Sequence, residues 1–488
     1  MAKFAVYLLA FFFLLQSFWI KRTFGSPTLE QILYHFQFGS DGLLTTDQAI
    51  VFSFVKWCVL LPIGCAALAS VFEWLIKSIH SRGLFPTILL IRKLIATACW
   101  HALVALNYLV KFRASLLFLV ISVLYWVHNV SGFKYLGSYF GPDYFSAHYV
   151  SPHQVSTEAR DQKNLVLIYV ESLENTYRDK ELFGVNLLES LEKVEGLSFN
   201  RFAQVPGTGW TIAGIVASQC GIPLKSVSAY DENEQGRKVK SFLQGATCLG
   251  DILSNHGYRN VFMGGASLSF AGKGKFLSSH GYHELYGRDE WVDQGVAPEE
   301  FNAWGLPDDH LFSKAKAKVE ALQSADQPFN LTLLTVDSHA PGYPSRYCLD
   351  RGMDGFLDTI KCTADQLADF VDFMRENEYL ATTNVVIVGD HLAMSNPASA
   401  KLGAAGERHI FNLFVSDNLP EKRSEEIVHF DLFPTILDFL GIHVEGNQLG
   451  LGYSALNASN VPPSARVEEM ERSLLNYSKT YLDLWRKE

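Results

Sequence analysis

The 488-residue chain is 48% hydrophobic and 19% charged, and its formal net charge is −10. This composition excludes a disordered chain, which has too little apolar surface to bury, and a strongly basic nucleic-acid-binding protein. The charge is divided unevenly. Residues 1–135 hold eleven basic and four acidic residues, a net of +7, whereas the remainder carries a net of −17. We therefore predict a transmembrane helical anchor at 1–135, a linker at 136–160 and a water-soluble domain at 161–488.

Long apolar stretches recur in the first region. They lie at 4–20, 49–76, 94–110 and 114–131. Since a membrane span needs about 20 apolar residues, the pattern predicts two to four spans. A cleaved signal peptide is the alternative for the first stretch, but no small-residue cleavage site follows it. Basic residues between 77 and 113 favour a cytoplasmic position for that segment. We expect three spans, with 94–110 not crossing fully, and an outward-facing body; four spans would reverse the body's side.

The cysteines differ between the two regions. They are Cys58, Cys65 and Cys99 in the apolar region and Cys220, Cys248, Cys348 and Cys362 in the body. The first three are typical of buried small hydrophobic residues. An even number in the body allows pairing in an oxidising compartment. The pairing between sequence neighbours is Cys220–Cys248 and Cys348–Cys362; two other connectivities and four free thiols are the alternatives.

From about residue 162 the chain alternates between short apolar runs and helical patterns. The apolar runs lie at 164–170, 260–265, 329–337, 384–390 and 409–416. The helical patterns lie at 211–218, 243–255, 311–323, 363–378 and 430–440. Apolar runs of this length are typical of strands buried on both faces of a parallel sheet. The alternation predicts an α/β fold, with a mostly parallel sheet flanked by helices.

Polar residues follow three of these predicted strands: Glu171 with Ser172, Asp337 to His339, and Asp390 with His391. In open α/β sheets, ligands bind outside the carboxyl ends of the strands. Each group alone is equally consistent with a helix cap or a solvated loop, but three together indicate a site. Carboxylate oxygen and imidazole nitrogen together suit Zn²⁺ or Mn²⁺ better than Ca²⁺.

A hydroxyl group that such an ion could activate lies in the segment 206–214, PGTGWTIAG. Thr211 opens an apolar helix, and a helix N-terminus favours an anionic ligand such as phosphate. A hydroxyl in this place can serve as both metal ligand and nucleophile. An N-capping threonine without chemistry is equally consistent with the pattern. Ser172, Thr208 and Ser218 are competing hydroxyls.

Five motifs occur in a fixed order behind the apolar region: NLVLIYVES, GTGWTIAGIVASQCGIPL, WGLPDDHLF, LLTVDSHAP and VVIVGDH. This set resembles the alkaline-phosphatase/sulfatase-like superfamily over roughly 160–455. Within the superfamily it is similar to the phosphoglycerol transferase branch, which includes the lipoteichoic acid synthases. The segments 206–224 and 264–276 resemble most closely the phosphoglycerol transferase I group of osmoregulated periplasmic glucan synthesis.

The resemblance implies an alkaline-phosphatase-like domain with one divalent metal. The ion is often Mn²⁺ in this branch, with Zn²⁺ and Mg²⁺ as alternatives. The implied ligands are Glu171, Thr211, Asp390 and His391. Thr211 would be the nucleophile that takes the phosphoglycerol group. His339, in the DSHAP motif, would contact the substrate phosphate or protonate the leaving group.

The resemblance also implies a substrate-binding set that departs from the family pattern. Lipoteichoic acid synthases carry a Trp and an Arg two residues apart where this chain has Ala271 and Lys273. We expect Lys273 to hold phosphate as a point charge and not as a bidentate fork. This departure from the family pattern argues against plain lipoteichoic acid synthesis. Arg408 and His409 are expected to face the site from the next loop. A sulfatase nucleophile, a Cys or Ser followed by Pro-x-Arg, does not occur at Thr211.

Taken together, the resemblance implies a multi-pass enzyme of the bacterial inner membrane whose catalytic domain faces the periplasm. It would move glycerol phosphate from phosphatidylglycerol to a periplasmic or surface glycan through a phosphothreonine-type intermediate. The expected partners are the donor lipid, the glycan acceptor and the membrane, and no nucleic acid. Two alternatives remain: a phosphoethanolamine transferase acting on a surface lipid or glycan, and a catalytically inactive binding protein that keeps the fold.

Overall fold

The computed structural model describes residues 2–25, 27–38, 48–81, 114–154, 156–159, 162–225, 242–457 and 463–486. The chain divides into two compact units, one comprising Met1–Leu29 and Gln48–Leu136, the other Glu30–Asp47 and Gly137–Glu488. The predicted apolar stretch at 94–110, with Cys99, lies outside the described residues.

The helices of the described residues are numbered in chain order. They are α1 (Ala2–Phe24), α2 (Leu29–Phe38), α3 (Gln48–Phe54), α4 (Leu61–Ser81), α5 (Ala114–Asn129), α6 (Gly132–Gly137), α7 (Tyr144–His148), α8 (Lys180–Phe183), α9 (Glu189–Glu192), α10 (Thr211–Cys220), α11 (Leu249–Asn255), α12 (Lys273–Ser279), α13 (Arg288–Asp293), α14 (Asp308–Gln323), α15 (Arg346–Leu349), α16 (Phe356–Glu376), α17 (Ser399–Leu402), α18 (His429–Phe439), α19 (Pro463–Ser473) and α20 (Lys479–Asp483).

The first unit consists of apolar helices. Among the described residues, two stretches are helical, long and apolar enough to span a membrane: Lys3–Phe24 and Val51–Leu75. A turn of π-helix joins α3 to α4 within the second stretch. The third apolar helix, α5, has 16 residues and is shorter than a full span. Glu73, an acidic residue within the second stretch, pairs with Lys3, which offsets the cost of a charge among apolar residues. These helices indicate a membrane-anchored protein.

The strands of the described residues all belong to the second unit. They are β1 (Thr157–Ala159), β2 (Asn164–Val170), β3 (Arg201–Ala203), β4 (Arg259–Gly264), β5 (Glu284–Tyr286), β6 (Phe329–Leu334), β7 (Thr383–Gly389), β8 (Asn412–Val415), β9 (Glu426–Val428), β10 (Ile442–Val444), β11 (Gln448–Leu449) and β12 (Gly452–Tyr453).

Six of these strands form the central sheet, in the order β5-β4-β6-β2-β7-β8. All neighbours are parallel except β8, which runs antiparallel to β7. The mostly parallel α/β fold predicted from the sequence is therefore confirmed. Two details differ from the prediction: the fifth predicted strand is shortened to β8 and is the antiparallel edge, and the three-residue edge strand β5 was not predicted.

Both faces of the sheet are buried. Side chains along β2 alternate between two hydrophobic clusters, because successive residues of a strand point to opposite faces. Leu165, Leu167 and Tyr169 pack with α10 and α18 on one face. Val166 and Ile168 pack with α14 and α16 on the other. This burial explains why the strand reads as an unbroken apolar run.

Both predicted disulfides are present. Cys220, the last residue of α10, pairs with Cys248, which immediately precedes α11. Cys348 in α15 pairs with Cys362 in α16. In the first unit, Cys58 and Cys65 are free thiols.

The bond between α10 and α11 is expected to stabilise the second unit. Its cysteines are 28 residues apart, and closure of a loop of that length restricts the unfolded chain by about 3–4 kcal/mol. The double variant Cys220→Ser/Cys248→Ser should therefore unfold at a lower guanidinium concentration than wild type, measured by intrinsic fluorescence in detergent. Cys348→Ser/Cys362→Ser, with a separation of 14, should cost about 3 kcal/mol. An unchanged midpoint for both variants would contradict the expectation.

Candidate active site

The candidate site lies at the carboxyl ends of β2 and β7. These strands are parallel neighbours, and Val170 pairs with Gly389 at their last register position. The residues that follow them, Glu171 on one side and Asp390 with His391 on the other, are therefore brought together. Their ligand atoms all lie within 4.8 Å of one another, and all three side chains are buried.

Two ligand atoms in this carboxylate–imidazole cluster have no hydrogen-bond partner: Asp390 Oδ2 and His391 Nε2, both buried. They are 3.5 Å apart, and His391 Nε2 is 3.7 Å from Glu171 Oε1. The opposite ring nitrogen, Nδ1, lies 2.9 Å from the Leu392 carbonyl oxygen, so in the neutral ring Nδ1 carries the proton and Nε2 keeps a lone pair. Buried polar atoms are rarely unsatisfied, and this pair fits a divalent cation.

The electrostatics of the cluster agree with that fit. Burial, with the neighbouring Glu171 carboxylate, raises the pKa of Asp390 to about 7. Burial would lower the pKa of His391, but the two carboxylates outweigh it and raise that pKa. Burial would likewise raise the pKa of Glu171, but His339 and His391 lower it. The two buried carboxylates thus repel each other, and a cation between them would relieve the repulsion.

Thr211 lies beside this cluster. It is the first residue of α10, after Trp210 in extended conformation and a turn with positive φ at Gly207. Its Oγ1 donates a 3.2 Å hydrogen bond to Glu171 Oε2. The side chain is partly exposed, so it is accessible to a substrate.

The competing hydroxyls divide into two groups. Thr208 and Ser218 are both buried. The Thr208 hydroxyl donates a 2.8 Å hydrogen bond to the Val205 carbonyl oxygen, and the Ser218 hydroxyl donates a 2.7 Å bond to that of Gly214. Their hydroxyls are therefore engaged inside the domain. Ser172 lies at the cluster and donates a 2.7 Å bond to Glu171 Oε1, so it shares the site with Thr211.

A close backbone contact holds α10 against the cluster. A Cβ atom at Gly214 would lie 2.0 Å from the Asp390 carbonyl oxygen. The same oxygen accepts a 2.8 Å hydrogen bond from His429 Nε2. Burial lowers the pKa of His429 to about 3, so the ring is neutral. Neither Gly214 nor His429 was among the predicted site residues; a glycine inside an apolar helix was the available signal for the first.

His339 and Lys273 border the site from the other strands. The His339 ring packs on Trp304, with centroids 3.7 Å apart, and it lies near enough to Glu171 to lower the pKa of that carboxyl group. The preceding residue, Ser338, donates a 2.7 Å hydrogen bond to the Glu171 carbonyl oxygen. Lys273 is only 3% exposed. Burial lowers its pKa to about 8, while the charges of Glu171 and Asp390 oppose that change.

A buried pair of aspartates supports the His339 loop. Asp337 accepts hydrogen bonds from the Asn302 amide group at 2.9 Å and from the Asp308 backbone at 3.2 Å. Asp308 accepts from the Val336 backbone at 2.8 Å, and burial raises its pKa to about 7. The motifs WGLPDDHLF and LLTVDSHAP are thereby fastened together. Asp308 was not among the predicted site residues, although its motif was noted.

Arg408 and His409 have contacts outside the carboxylate–imidazole cluster. Arg408 Nε donates a 2.9 Å bond to Glu174, whose side chain is fully buried, and Nη2 donates to the Ala393 carbonyl oxygen at 2.8 Å. His409 Nε2 lies 3.8 Å from Glu407. Arg408 therefore braces the loop after β7, and a substrate role for either residue stays a prediction.

A second group of potential metal ligands comprises Cys248, Asp251 and His280. The sulfur of Cys248 is in the disulfide with Cys220. The two ring nitrogens of His280 lie 2.7 Å from Asp251 Oδ2 and 2.9 Å from the Phe242 carbonyl oxygen. Both ring nitrogens of His280 therefore have hydrogen-bond partners, and Cys248 cannot offer a thiolate to a metal because its sulfur is in the disulfide.

The sequence profile of the sulfatase family matches residues 163–442. The chain belongs to the sulfatase family. A curated relative, phosphoglycerol transferase I of Xanthomonas axonopodis pv. citri (strain 306), is 40% identical over 329 residues, which are 65% of this chain and 46% of that protein. The chain thus spans about half the length of the curated relatives it matches.

Two solved structures share the fold. Lipoteichoic acid synthase LtaP from Listeria monocytogenes superposes with a TM-score of 0.52 and 17% identity, over 68% of this chain and 96% of that one. A protein of the alkaline phosphatase superfamily from Vibrio parahaemolyticus gives a TM-score of 0.51 and 20% identity, over 72% and 94% of the two chains. The alkaline-phosphatase-like fold expected from the sequence motifs is confirmed.

The contact at Gly214 yields a testable expectation. Gly214→Ala should push α10 away from Asp390 and weaken binding of Mn²⁺ by about 10- to 100-fold, the range for residues that support metal ligands. Isothermal titration calorimetry measures the affinity. The matched control is Gly137→Ala, because a Cβ atom there meets nothing within 4 Å. Equal affinities in both variants would show that the close contact does not shape the site.

Proposed function

We propose that this protein is a membrane-bound phosphoglycerol transferase that moves glycerol phosphate from phosphatidylglycerol to a periplasmic or surface glycan. The observation that carries the proposal is the partly exposed Thr211 hydroxyl, hydrogen-bonded to Glu171 beside a buried pair of unsatisfied ligand atoms. The relatives named phosphoglycerol transferase I support the choice of group transferred.

Glu171, Asp390, His391 and the Thr211 hydroxyl would hold one divalent ion, Mn²⁺ first, with Zn²⁺ and Mg²⁺ as alternatives. Such an ion supplies neutralisation of the charge on the transferring phosphoryl group and favours the ionised form of a nearby hydroxyl. Ser172 and His391 donate their backbone N–H groups to Asp390 Oδ1 at 2.8 Å. These bonds fix the carboxylate so that its other oxygen faces the ligand cluster.

In the proposed first step, Thr211 Oγ1 attacks the lipid phosphorus in its ionised form, the hydroxyl proton having been lost to solvent beforehand. A bond forms between Thr211 and phosphorus, and the bond from phosphorus to the diacylglycerol oxygen breaks. His339 gives a proton to the departing diacylglycerol. In the second step a glycan hydroxyl attacks the glycerophospho-threonine, His339 takes up the hydroxyl proton, and Thr211 is restored. Thr211 lies at the N-terminus of α10, where the backbone N–H groups of the helix favour an anionic group such as the transferred phosphate.

Lys273 is proposed to bind the donor phosphate as a buried point charge. Arg408 and His409 are proposed to face the substrate from the loop that follows β7, on the basis of their sequence position. The glycan is proposed to enter from solvent, on the exposed side of Thr211.

We place the catalytic region at 161–488, behind a linker at 136–160 and an anchor at 1–135, in the bacterial inner membrane with the body facing the periplasm. The two disulfides support an oxidising compartment. The candidate spans support a position near the lipid headgroups, where the donor is found.

Metal removal should stop the reaction. In excess EDTA the release of diacylglycerol from phosphatidylglycerol should cease, and Mn²⁺ added above the chelator should restore it, since two buried carboxylates then regain their cation. Asp390→Asn should lose metal affinity, whereas the exposed control Asp372→Asn, on α16, should behave as wild type. Undiminished turnover in EDTA would rule out the metal mechanism.

Removal of the nucleophile should stop the first step even when no glycan is present. Thr211→Ala should reduce release of labelled diacylglycerol by about 1,000-fold or more, the cost typical of a lost nucleophile. Ser172→Ala removes the competing hydroxyl at the cluster. It should retain most of the activity, because the proposed nucleophile is Thr211. Full release by Thr211→Ala would place the nucleophile elsewhere.

The choice of donor lipid separates the two transferase functions. Release of diacylglycerol from phosphatidylethanolamine and not from phosphatidylglycerol would support the phosphoethanolamine alternative.

A further inference from the structure

Helix α2 lies in the sequence between the two stretches of the described residues that are long and apolar enough to span a membrane. From Glu30 onward it belongs to the second unit, together with the candidate active site. Its Tyr34 side chain is completely buried and is part of the hydrophobic core of that unit. A segment between membrane helices thus contributes a core residue to the domain that carries the site.

Tyr34 contacts two segments that lead directly into site residues. Its hydroxyl donates a 2.8 Å hydrogen bond to the carbonyl oxygen of Ala271, and the bond is buried. Its ring lies 6.0 Å from the ring of Trp210, centroid to centroid. Trp210 immediately precedes Thr211, and Ala271 lies two residues before Lys273.

The backbone at Ala271 is in an unfavourable conformation. Ala271 has φ +54°, and Gly272 follows with φ +76°. A residue with a side chain persists in the left-handed region only where the surroundings hold it there. Helix α12 begins at Lys273 directly after this turn. The position of Lys273 therefore depends on this turn, and Tyr34 holds the turn through its hydrogen bond to the Ala271 carbonyl oxygen.

The charge of Glu30 also acts on a residue near the same region. Lys225 is buried, and its Nζ donates a 2.9 Å hydrogen bond to the Asn476 carbonyl oxygen. Burial lowers the pKa of Lys225 to about 8, and the charge of Glu30 in α2 opposes that change. The residue before Lys225, Leu224, bonds through its backbone to Gly207 at 2.9 Å, in the turn ahead of Thr211. Glu30 and Tyr34 thus lie near residues that contact the segment leading into Thr211.

We propose that α2 is part of the active-site framework and that Tyr34 is a positioning residue, which holds the turn at Ala271 so that Lys273 binds the donor phosphate. This inference rests on the proposed function, because it takes the ligand of Lys273 to be a lipid phosphodiester. It assigns a role in donor binding to a helix that lies, in the sequence, between two candidate membrane helices.

The test uses the full chain in detergent. Tyr34→Phe keeps the ring and removes the hydrogen bond. It should lower kcat/KM for diacylglycerol release by about 3- to 10-fold, the effect of one lost buried hydrogen bond, through a higher KM for phosphatidylglycerol. The matched control is Tyr258→Phe, since Tyr258 donates a comparable 2.6 Å bond to the Lys163 carbonyl oxygen. The control should stay within about 2-fold of wild type. Wild-type kinetics in Tyr34→Phe would overturn the proposal.

A double-mutant cycle shows whether Tyr34 acts through Lys273. In a Lys273→Met background, Tyr34→Phe should change kcat/KM by less than about 2-fold, because the group that it positions is gone. The same fold-loss in both backgrounds would mean that Tyr34 acts independently of Lys273 and would overturn the assignment.

Amide hydrogen exchange gives a readout that does not need activity. Peptides covering 266–276 should exchange faster in Tyr34→Phe than in wild type or Tyr258→Phe. If wild-type protein releases no diacylglycerol, the proposed function fails while this measurement still decides whether Tyr34 holds the turn. Unchanged exchange in Tyr34→Phe overturns the positioning role even if the transferase activity is present.

Discussion

Two carboxylates and an imidazole are buried side by side at the carboxyl edge of the central sheet. The surrounding structure must compensate the electrostatic cost of burying these three groups together. Glu171 and Asp390 come from neighbouring parallel strands, so the sheet itself forces them together. Asp390 Oδ2 and His391 Nε2 face each other without a hydrogen-bond partner. Burial of unpaired ionisable groups is costly, and a divalent cation is the simplest way in which the fold can satisfy all three side chains.

Close backbone packing positions the hydroxyl next to these charges. A Cβ atom at Gly389 would lie 2.0 Å from the Leu173 carbonyl oxygen, and one at Gly214 would lie equally close to that of Asp390. At these two glycines, the loops after β2 and β7 and the helix that begins at Thr211 therefore approach one another at backbone-to-backbone distance. Any side chain at these two glycines would separate the hydroxyl from its acceptor, Glu171.

The sequence predicted those parts of the fold whose cause is local. The strand Asn164–Val170 was predicted from its apolar run, and the carboxyl-edge site was predicted from polar residues after strands. The edge strand Glu284–Tyr286 was missed because three residues give no periodic signal. His429 and Tyr34 were missed for a different reason: they act on the site through Asp390 and Ala271, distant in sequence, and these contacts exist only after folding.

Thr211 is proposed to carry the transferred group, and the most direct test is the mass of the protein after incubation with phosphatidylglycerol alone. Peptide mapping by tandem mass spectrometry should find glycerophosphate on the peptide that contains Thr211, in wild type and not in Thr211→Ala. The adduct should disappear when an acceptor glycan is added. Diacylglycerol release without any adduct, or an adduct on Ser172, would contradict the account.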